Sequence, residues 1–572
     1  MKLSVQDIED LVGADNVSVH DETRRLYSRD ISSLPGLAYQ IINDEFDIVV
    51  QPQTVKSLMA LARYAHNHNI PIVPRGSATS GWGGVLPARG GVCLSLLHMT
   101  DFHHLDEYNL LVTVDSGITW QELLRILEQV GLTLPVYPSS AASATVGGFI
   151  ASGGFGIGSA HYGDIRTQVE GVEAVLPNGM LVRCGNVVLR GDDSEQKDSE
   201  EGAAFLKNVL EQLGVFETIN PLELFLGTYG TFGVVTKVTL KVIPKLMLRT
   251  LACVFDNIDD LAKAAIGIQR EASPYHLRFL TETYTTKRFS LRRSIDEYGK
   301  FILTCALLDT YYQVDDSVGK IEGIVKDNNG WLTGDKRAEY HWEERFYPLR
   351  IKSLGPSLVP AEVLVSLEKM PDLYKDIVRS IGRDSIAVEG TISTGGITSF
   401  LAWILDDERE RLQYTIGWYR SFDIAAKTRE YGGKPYAVAL WNVPYARQFY
   451  GEAKEKALRR VKEELDPKDL MNPMKVFGGR IVAKRKSLGF GFIMGYIIAL
   501  ITQSIASFLP GLTWLTSMLW TPISPMLFIP VSMLVAVIGG LLGLLFIHYL
   551  SLQRALKFGI PALKMFRRFV HL

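Results

Sequence analysis

Cysteine is scarce here: the four in 572 residues, Cys93, Cys184, Cys253 and Cys305, form neither a CxxC pair nor a zinc-type spacing. This argues against a Cys-ligated iron–sulfur cluster within the chain and fits a reducing compartment. An excess of either charge is missing too. Lys and Arg number 60 against 62 Asp and Glu, a formal net charge of −2, so nucleic acid is not an expected partner. The opening "MKLSVQDIEDLVG" has no apolar h-region, and no signal peptide is expected. Both common nucleotide signatures are absent as well. No Gly-Lys pair precedes Ser or Thr, as a Walker loop requires. Gly81-Trp82-Gly83 lacks the third glycine of a Rossmann fingerprint, and "GGFGIG" from Gly153 has the wrong spacing.

What is present is glycine, gathered into three loops. "PRGSATSGWGG" from Pro74 holds four glycines beside an arginine and a tryptophan. "PSSAASATVGGFIASGGFGIGSAHYG" from Pro138 and "GTYGTFGVVT" from Gly227 follow. Glycine permits positive φ and turns successive backbone N–H groups toward one anion, with a nearby Arg to neutralise charge. A single phosphate needs one such loop. Three imply a long ligand, the alternative being that these glycines only make turns.

Around the loops an α+β rhythm is legible. "TVKSLMALARYAHNHN" from Thr54 places Leu58, Leu61, Ala62 and Ala65 on one helical face, and "IPIVP", "GVCLSL" and "LLVTVDSG" read as strands. Thr119 is expected to cap a helix, and "VEAVLPNGMLVRC" a hairpin turning at Asn178 and Gly179. "TFGVVTKVTLKVIP" alternates as a strand, and the charged run "GDDSEQKDSEEG" from Gly191 reads as a solvated loop. After Leu251, helix-like "DDLAKAAIGIQRE" and strand-like "FILTCALL" open a second α+β domain.

Composition changes abruptly after Lys486. Residues 489–509 contain no charged side chain, and residues 526–550 none apart from His548. Each run is long enough to span a bilayer, which needs roughly 20 residues. Lys484, Arg485 and Lys486 precede the first run; Arg554, Lys557, Lys564, Arg567 and Arg568 follow the second. The positive-inside rule then makes both flanks cytoplasmic and the segment a transmembrane hairpin, the alternative being a buried hairpin of a soluble domain.

The four motifs PRGxxT, PSS with T-V-G-G, YG, and GTxG-V-V-T occur in order, and "LDPKDLMNPMKVF" from Leu465 follows. Together they resemble the FAD-binding vanillyl-alcohol oxidase (PCMH-type) superfamily, especially its glycolate and D-lactate dehydrogenase branch. Tyr229 stands where many members have Glu, and Met474 replaces a closing Gly. The resemblance implies a PCMH-type FAD-binding domain over 43–246 after an N-terminal segment 1–42, and an α+β substrate (cap) domain over 247–480. The hairpin 489–550 and a basic cytoplasmic tail 551–572 complete the expected organisation.

Carried over by resemblance, Pro74, Arg75, Gly76, Ser77, Ala78 and Thr79 wrap the FAD pyrophosphate, with Ser80 and Trp82 nearby. Pro138, Ser139, Ser140, Thr145, Gly147 and Gly148 run beside the diphosphate and ring. Ser152, Gly153, His161, Tyr162 and Gly163 form a further flavin loop, and Val234 and Val235 a closing strand. No His or Cys occupies the linkage place in the first loop, so FAD is expected to be non-covalent. The branch's HxGDGNxH-like and GEHGxG metal motifs are missing, so no metal is expected. His66, His68, His103 and His104 read as solvated. Arg345, in a W-x-x-R segment, is the expected carboxylate anchor or else a structural ion pair. His341 is the candidate base, and Trp441, Asn442 and Tyr445 the candidate pocket walls, with plain packing as the alternative.

The implied activity is that of a membrane-anchored dehydrogenase. It oxidises a small hydroxylated substrate, hydroxy acids included, and passes electrons to a quinone or a partner protein. Its FAD-binding and cap domains are expected on the cytoplasmic side of the cell membrane. The alternatives are an FAD oxidoreductase of a lipid-linked sugar or polyprenol, and a catalytically silent flavin-binding subunit of a membrane complex.

Overall fold

The computed structural model describes residues 3–32, 45–187, 193–289, 300–347, 351 and 357–478. The expected hairpin 489–550 and tail 551–572 lie outside the described residues. Among the described residues no helix is long and apolar enough to cross a membrane.

Thr54 caps the helix Val55–His68 by accepting from Ser57 N at 3.1 Å, and the helix stops at Asn69, whose φ of 57° is left-handed. Its buried face, Leu58, Leu61, Ala62 and Ala65, packs on three parallel strands, Ile48–Val50, Val92–Ser95 and Ile72–Arg75. The last strand runs directly into the first glycine loop. A second, antiparallel sheet holds the other loops in the order Phe102–Asp106, Leu111–Asp115, Val234–Lys241, Val169–Val175, Leu181–Gly185. Its hairpin turns where expected: Gly179 has φ 82°, and Asn178 Oδ1 accepts Met180 N at 3.1 Å.

Two expectations fail here. The charged run from Gly191 is not a loop: a helix covers Asp193–Gln212, its Leu206, Val209 and Leu210 buried in the core. Its charge has structural partners, because Glu195 lies 3.3 Å from both Arg183 and Lys237, which also pair with the fully buried Glu173. Counting charges over twelve residues missed the apolar stripe that starts just beyond them. His103 is not simply solvated either, since its Nε2 lies 2.6 Å from Asp115 Oδ1.

The second half is one eight-stranded antiparallel sheet, ordered Trp331–Leu332, Met247–Phe255, Phe301–Asp309, His276–Leu280, Ile386–Ile392, Ile397–Asp406, Ser357–Ser366, Lys434–Pro435. Helices Ile258–Glu271 and Tyr311–Asp327 pack on one side of its first strands. The chain then returns to the first half through the helix Glu452–Leu465. There the "LDPKDLMNPMK" segment acts as a clasp. Lys462 Nζ donates to Asp466 Oδ2 at 2.6 Å and to the carbonyls of Thr231 and Met471 at 2.8 Å. Asn472 Nδ2 donates to Gly84 O at 3.0 Å and Tyr229 O at 2.6 Å, tying two glycine loops together. Lys475 Nζ donates to Leu86 O at 2.7 Å.

Lys462 and Asp466 are both buried, so removing one partner strands a charge, at a cost of about 3–5 kcal/mol. Lys462→Met is expected to lower stability by that amount in urea unfolding, while the exposed Lys207→Met changes it by less than about 0.5 kcal/mol.

Candidate functional site

A cavity of about 520 Å³ opens between the glycine loops and one face of the large sheet. Its floor is built on glycines that leave no room for a side chain. A Cβ added at Gly76 would stand 2.2 Å from Thr145 Oγ1, and one at Gly147 2.5 Å from Ser116 Cβ. Ala78, with φ 55°, takes a left-handed conformation in the middle of the first loop. Thr145 holds the second loop in place by accepting Gly148 N at 3.2 Å. Ser116 Oγ and His276 Nδ1 line the cavity, are buried and have no hydrogen-bond partner among the described residues. A close-approach floor in a cavity with unsatisfied polar atoms fits a dinucleotide cofactor.

The roof comes from alternate residues of the sheet. Arg278 lies opposite Thr391, Thr391 opposite Ser399, Leu401 opposite both Glu389 and Glu362, and Trp403 opposite Pro360. Directly paired residues share a face, and this face lines the cavity. Arg278 is held by Glu389, its Nε 3.1 Å from Oε2, while Glu389 Oε1 accepts Trp403 Nε1 at 2.9 Å. That carboxylate is therefore fully engaged. Glu362 has a different environment: it accepts Ser399 Oγ at 2.6 Å, and the surface it leaves uncovered opens on the cavity. Burial pushes its carboxyl up to about 8, against the pull of the Ser399 bond. Burial, with Arg278 and Arg345 close by, lowers His276 to about 3 and keeps it neutral.

Arg345 reaches the cavity from a tight turn, Glu344–Phe346, that ends the helix Asp335–Glu343. Its guanidinium lies 3.9 Å from the Trp342 ring centroid and 4.0 Å from that of Phe346, and Nη1 donates to Trp342 O at 2.6 Å. Among the described residues it has no carboxylate partner. With Arg278 neutralised, Arg345 supplies the uncompensated positive charge on the cap side of the cavity, opposite Arg75 in the first glycine loop.

The expected cofactor residues Pro74, Arg75, Gly76, Ser77, Ala78, Thr79, Ser80 and Trp82 all line this cavity, as do Pro138, Ser139, Ser140, Thr145, Gly147, Gly148, Ser152 and Val235. Arg75 nevertheless turns its guanidinium toward Arg29 O, at 2.9 Å, and the Tyr27 ring. Gly153, His161, Tyr162, Gly163 and Val234 stand elsewhere. Gly153 backs onto Gly227, Val234 is in the core, and His161 and Tyr162 border a separate groove. Of the expected catalytic residues Arg345 alone lines the cavity. His341 is buried one helical turn earlier, Trp441 packs against Gly83 and Trp418, and Asn442 Nδ2 donates to Ala437 O at 2.9 Å. Sequence reasoning missed His276, Arg278, Glu362, Glu389 and Trp403. The available signal was a single charge inside an otherwise apolar strand, as in "SLVPAEVLVS" and "IAVEGTI". Among the described residues no three His, Cys, Asp or Glu side chains cluster to hold a metal.

The FAD binding domain family matches residues 46–185, and the FAD linked oxidases C-terminal domain family matches residues 247–476. The chain is 26% identical over 495 residues to the glycolate oxidase subunit GlcD of Bacillus subtilis, covering 83% of this chain and 97% of that protein. It is 25% identical over 500 residues to a probable mitochondrial D-lactate dehydrogenase of Danio rerio, covering 82% and 91%. In fold it is similar to p-cresol methylhydroxylase solved with substrate bound, with a TM-score of 0.67 at 16% identity over 83% of this chain and 96% of that one. It is also similar to alkyldihydroxyacetonephosphate synthase, with a TM-score of 0.61 at 20% identity over 82% and 85%. With the glycine floor and the polar roof in one cavity, these matches make the chain an FAD-dependent oxidoreductase, with a PCMH-type FAD-binding domain followed by a domain of the FAD linked oxidases C-terminal type.

Proposed function

We propose that this enzyme is a dehydrogenase of a small hydroxylated substrate that carries a carboxylate, held between non-covalent FAD and the cap sheet. The observation that carries this reading is Arg345, a cation without a carboxylate partner among the described residues, beside a cap-sheet face on which Arg278 is paired with Glu389 and Glu362 is held neutral. A carboxylate would complete that balance through a charge-assisted pair, with the Trp342 and Phe346 rings fixing the guanidinium plane. The relatives named for glycolate and D-lactate support the substrate class. Bound FAD supplies the two-electron, hydride-accepting chemistry. The chain's own part is to seat the substrate with Arg345, exclude water beneath the sheet, and keep Arg278 locked on Glu389.

Electrons pass onward to a quinone or a partner protein at a membrane. This part of the proposal rests on the two charge-free runs of residues 489–509 and 526–550 and their basic flanks, which anchor the catalytic body on the cytoplasmic side.

Purified protein is expected to be yellow and to release intact FAD on acid or heat treatment. Gly76→Val is expected to emerge colourless, because even one added carbon meets Thr145 Oγ1 at 2.2 Å; absorbance at the flavin band after desalting checks it. Arg345→Lys is expected to raise KM for D-lactate or glycolate about tenfold or more, since an ammonium cannot reproduce the planar fork. Steady-state kinetics with both acids measure this, and unchanged KM would remove Arg345 from the site. Truncation after Ser487 should leave a flavin-loaded protein that reduces an artificial dye but no longer a membrane quinone. Loss of flavin from the truncated chain would assign the C-terminal segment to the catalytic fold.

A further inference from the structure

We propose that Glu362 is the catalytic base of this site, accepting the proton of the substrate hydroxyl on its carboxylate. The inference rests on the dehydrogenase reading above and names the group that reading lacks. Two carboxylates share the roof face, and their partners separate them. Glu389 spends one oxygen on Arg278 and the other on Trp403 Nε1. Glu362 accepts one hydrogen bond among the described residues, from Ser399 Oγ at 2.6 Å, and opens on the cavity. Its own strand pins its position, because Tyr436 N donates to Glu362 O at 3.1 Å and Leu401 lies opposite in register.

The other titratable groups facing this region are poorer bases. Burial raises the phenols of Tyr229 and Tyr436 well above their ordinary range, so both remain protonated. His276 is held neutral at about 3 by burial with Arg278 and Arg345, which leaves it little proton affinity at neutral pH. Arg278 and Arg345 are permanent cations, and Glu389, the charged neighbour on the next but one strand, helps keep the Glu362 proton on. A base that titrates near 8 is well matched to removing a hydroxyl proton at slightly alkaline pH.

In the step, the substrate O–H bond breaks and its proton binds Glu362. The C–H bond of the same carbon breaks with its electron pair, which leaves as hydride to the FAD, so the alcohol becomes a carbonyl. The sign of the pH dependence follows. Below about 8 the carboxyl is protonated and cannot accept, so flavin reduction accelerates as pH rises through that value.

The test uses full-length, FAD-loaded wild type, Glu362→Gln and Glu362→Asp. Gln mimics the protonated carboxyl in size and charge, so flavin content should match wild type. Infrared difference spectra between about pH 6 and about pH 10 should show a protonated-carboxyl band that titrates in wild type and is absent from Glu362→Gln. Anaerobic bleaching by D-lactate, glycolate or glycerol should slow about 100-fold or more in Glu362→Gln, the usual range for a lost general base, and recover partly in Glu362→Asp. Glu362→Gln that bleaches at the wild-type rate, or keeps the rising limb, overturns the assignment while leaving the dehydrogenase reading intact. Absence of the titrating band also overturns it. Wild-type flavin that none of the three compounds bleaches overturns both.

Discussion

At Gly76 one added carbon would stand 2.2 Å from Thr145 Oγ1, and at Gly147 one would stand 2.5 Å from Ser116 Cβ. Neither position therefore has room for a side chain, and both loops present glycine backbone to the cavity. That constraint divides the labour of the molecule. Loops stripped to glycine, serine and alanine can cradle FAD but offer little acid–base chemistry, so reactive groups must come from the opposite wall. The large antiparallel sheet supplies that wall, because its two-residue periodicity sends alternate side chains to one face and leaves the others for a conventional apolar core.

Placing charges on a buried sheet face carries its own electrostatic demand. An unpaired ion under the sheet would cost several kcal/mol, so each group on the roof is either paired or neutralised. Arg278 and Glu389 cancel each other, Trp403 satisfies the remaining carboxylate oxygen, and burial keeps a proton on Glu362 up to about pH 8. Arg345 escapes the demand because two aromatic rings and a backbone carbonyl hold it at the edge. The cap side of the cavity thus carries one positive charge beside one ionisable proton acceptor.

The floor was legible in the sequence and the roof was not, for a physical reason. Backbone cradles announce themselves in short runs: Pro74, Gly76, Thr145 and Gly148 sit in glycine-rich loops recognisable one by one, even though the loops meet across the fold, and sixteen of the expected cofactor residues line the cavity. The roof is assembled by strand register. Arg278 meets Glu389 across 111 residues and Ser399 meets Glu362 across 37, distances over which no spacing rule operates. His341 illustrates the same limit from the other side. It lies four residues from Arg345, but the helix tightens at Glu344, so Arg345 reaches the cavity and His341 stays in the packing. The helix Asp193–Gln212 was hidden by its acidic first turns, whose partners Arg183 and Lys237 sit on other strands.

The clasp also holds an unusual backbone. Tyr229 and Met474 both adopt left-handed backbone, with φ of 53° and 66°. Asp469 and Asn472 do the same at 50° and 42°. For residues with a side chain that conformation costs about 1–2 kcal/mol each, so it persists only where the surroundings over-determine it. They do so here: Asn472 bonds two glycine loops at once, Asp466 accepts from Leu470 N and Met471 N at 2.9 and 2.7 Å, and Lys462 spans three acceptors. The strained turn thus brings the chain's return from the cap onto the carbonyls of Gly84 and Tyr229. Whatever loosens the clasp loosens the cofactor floor with it, which is why the segment following the substrate domain belongs mechanically to the cofactor domain.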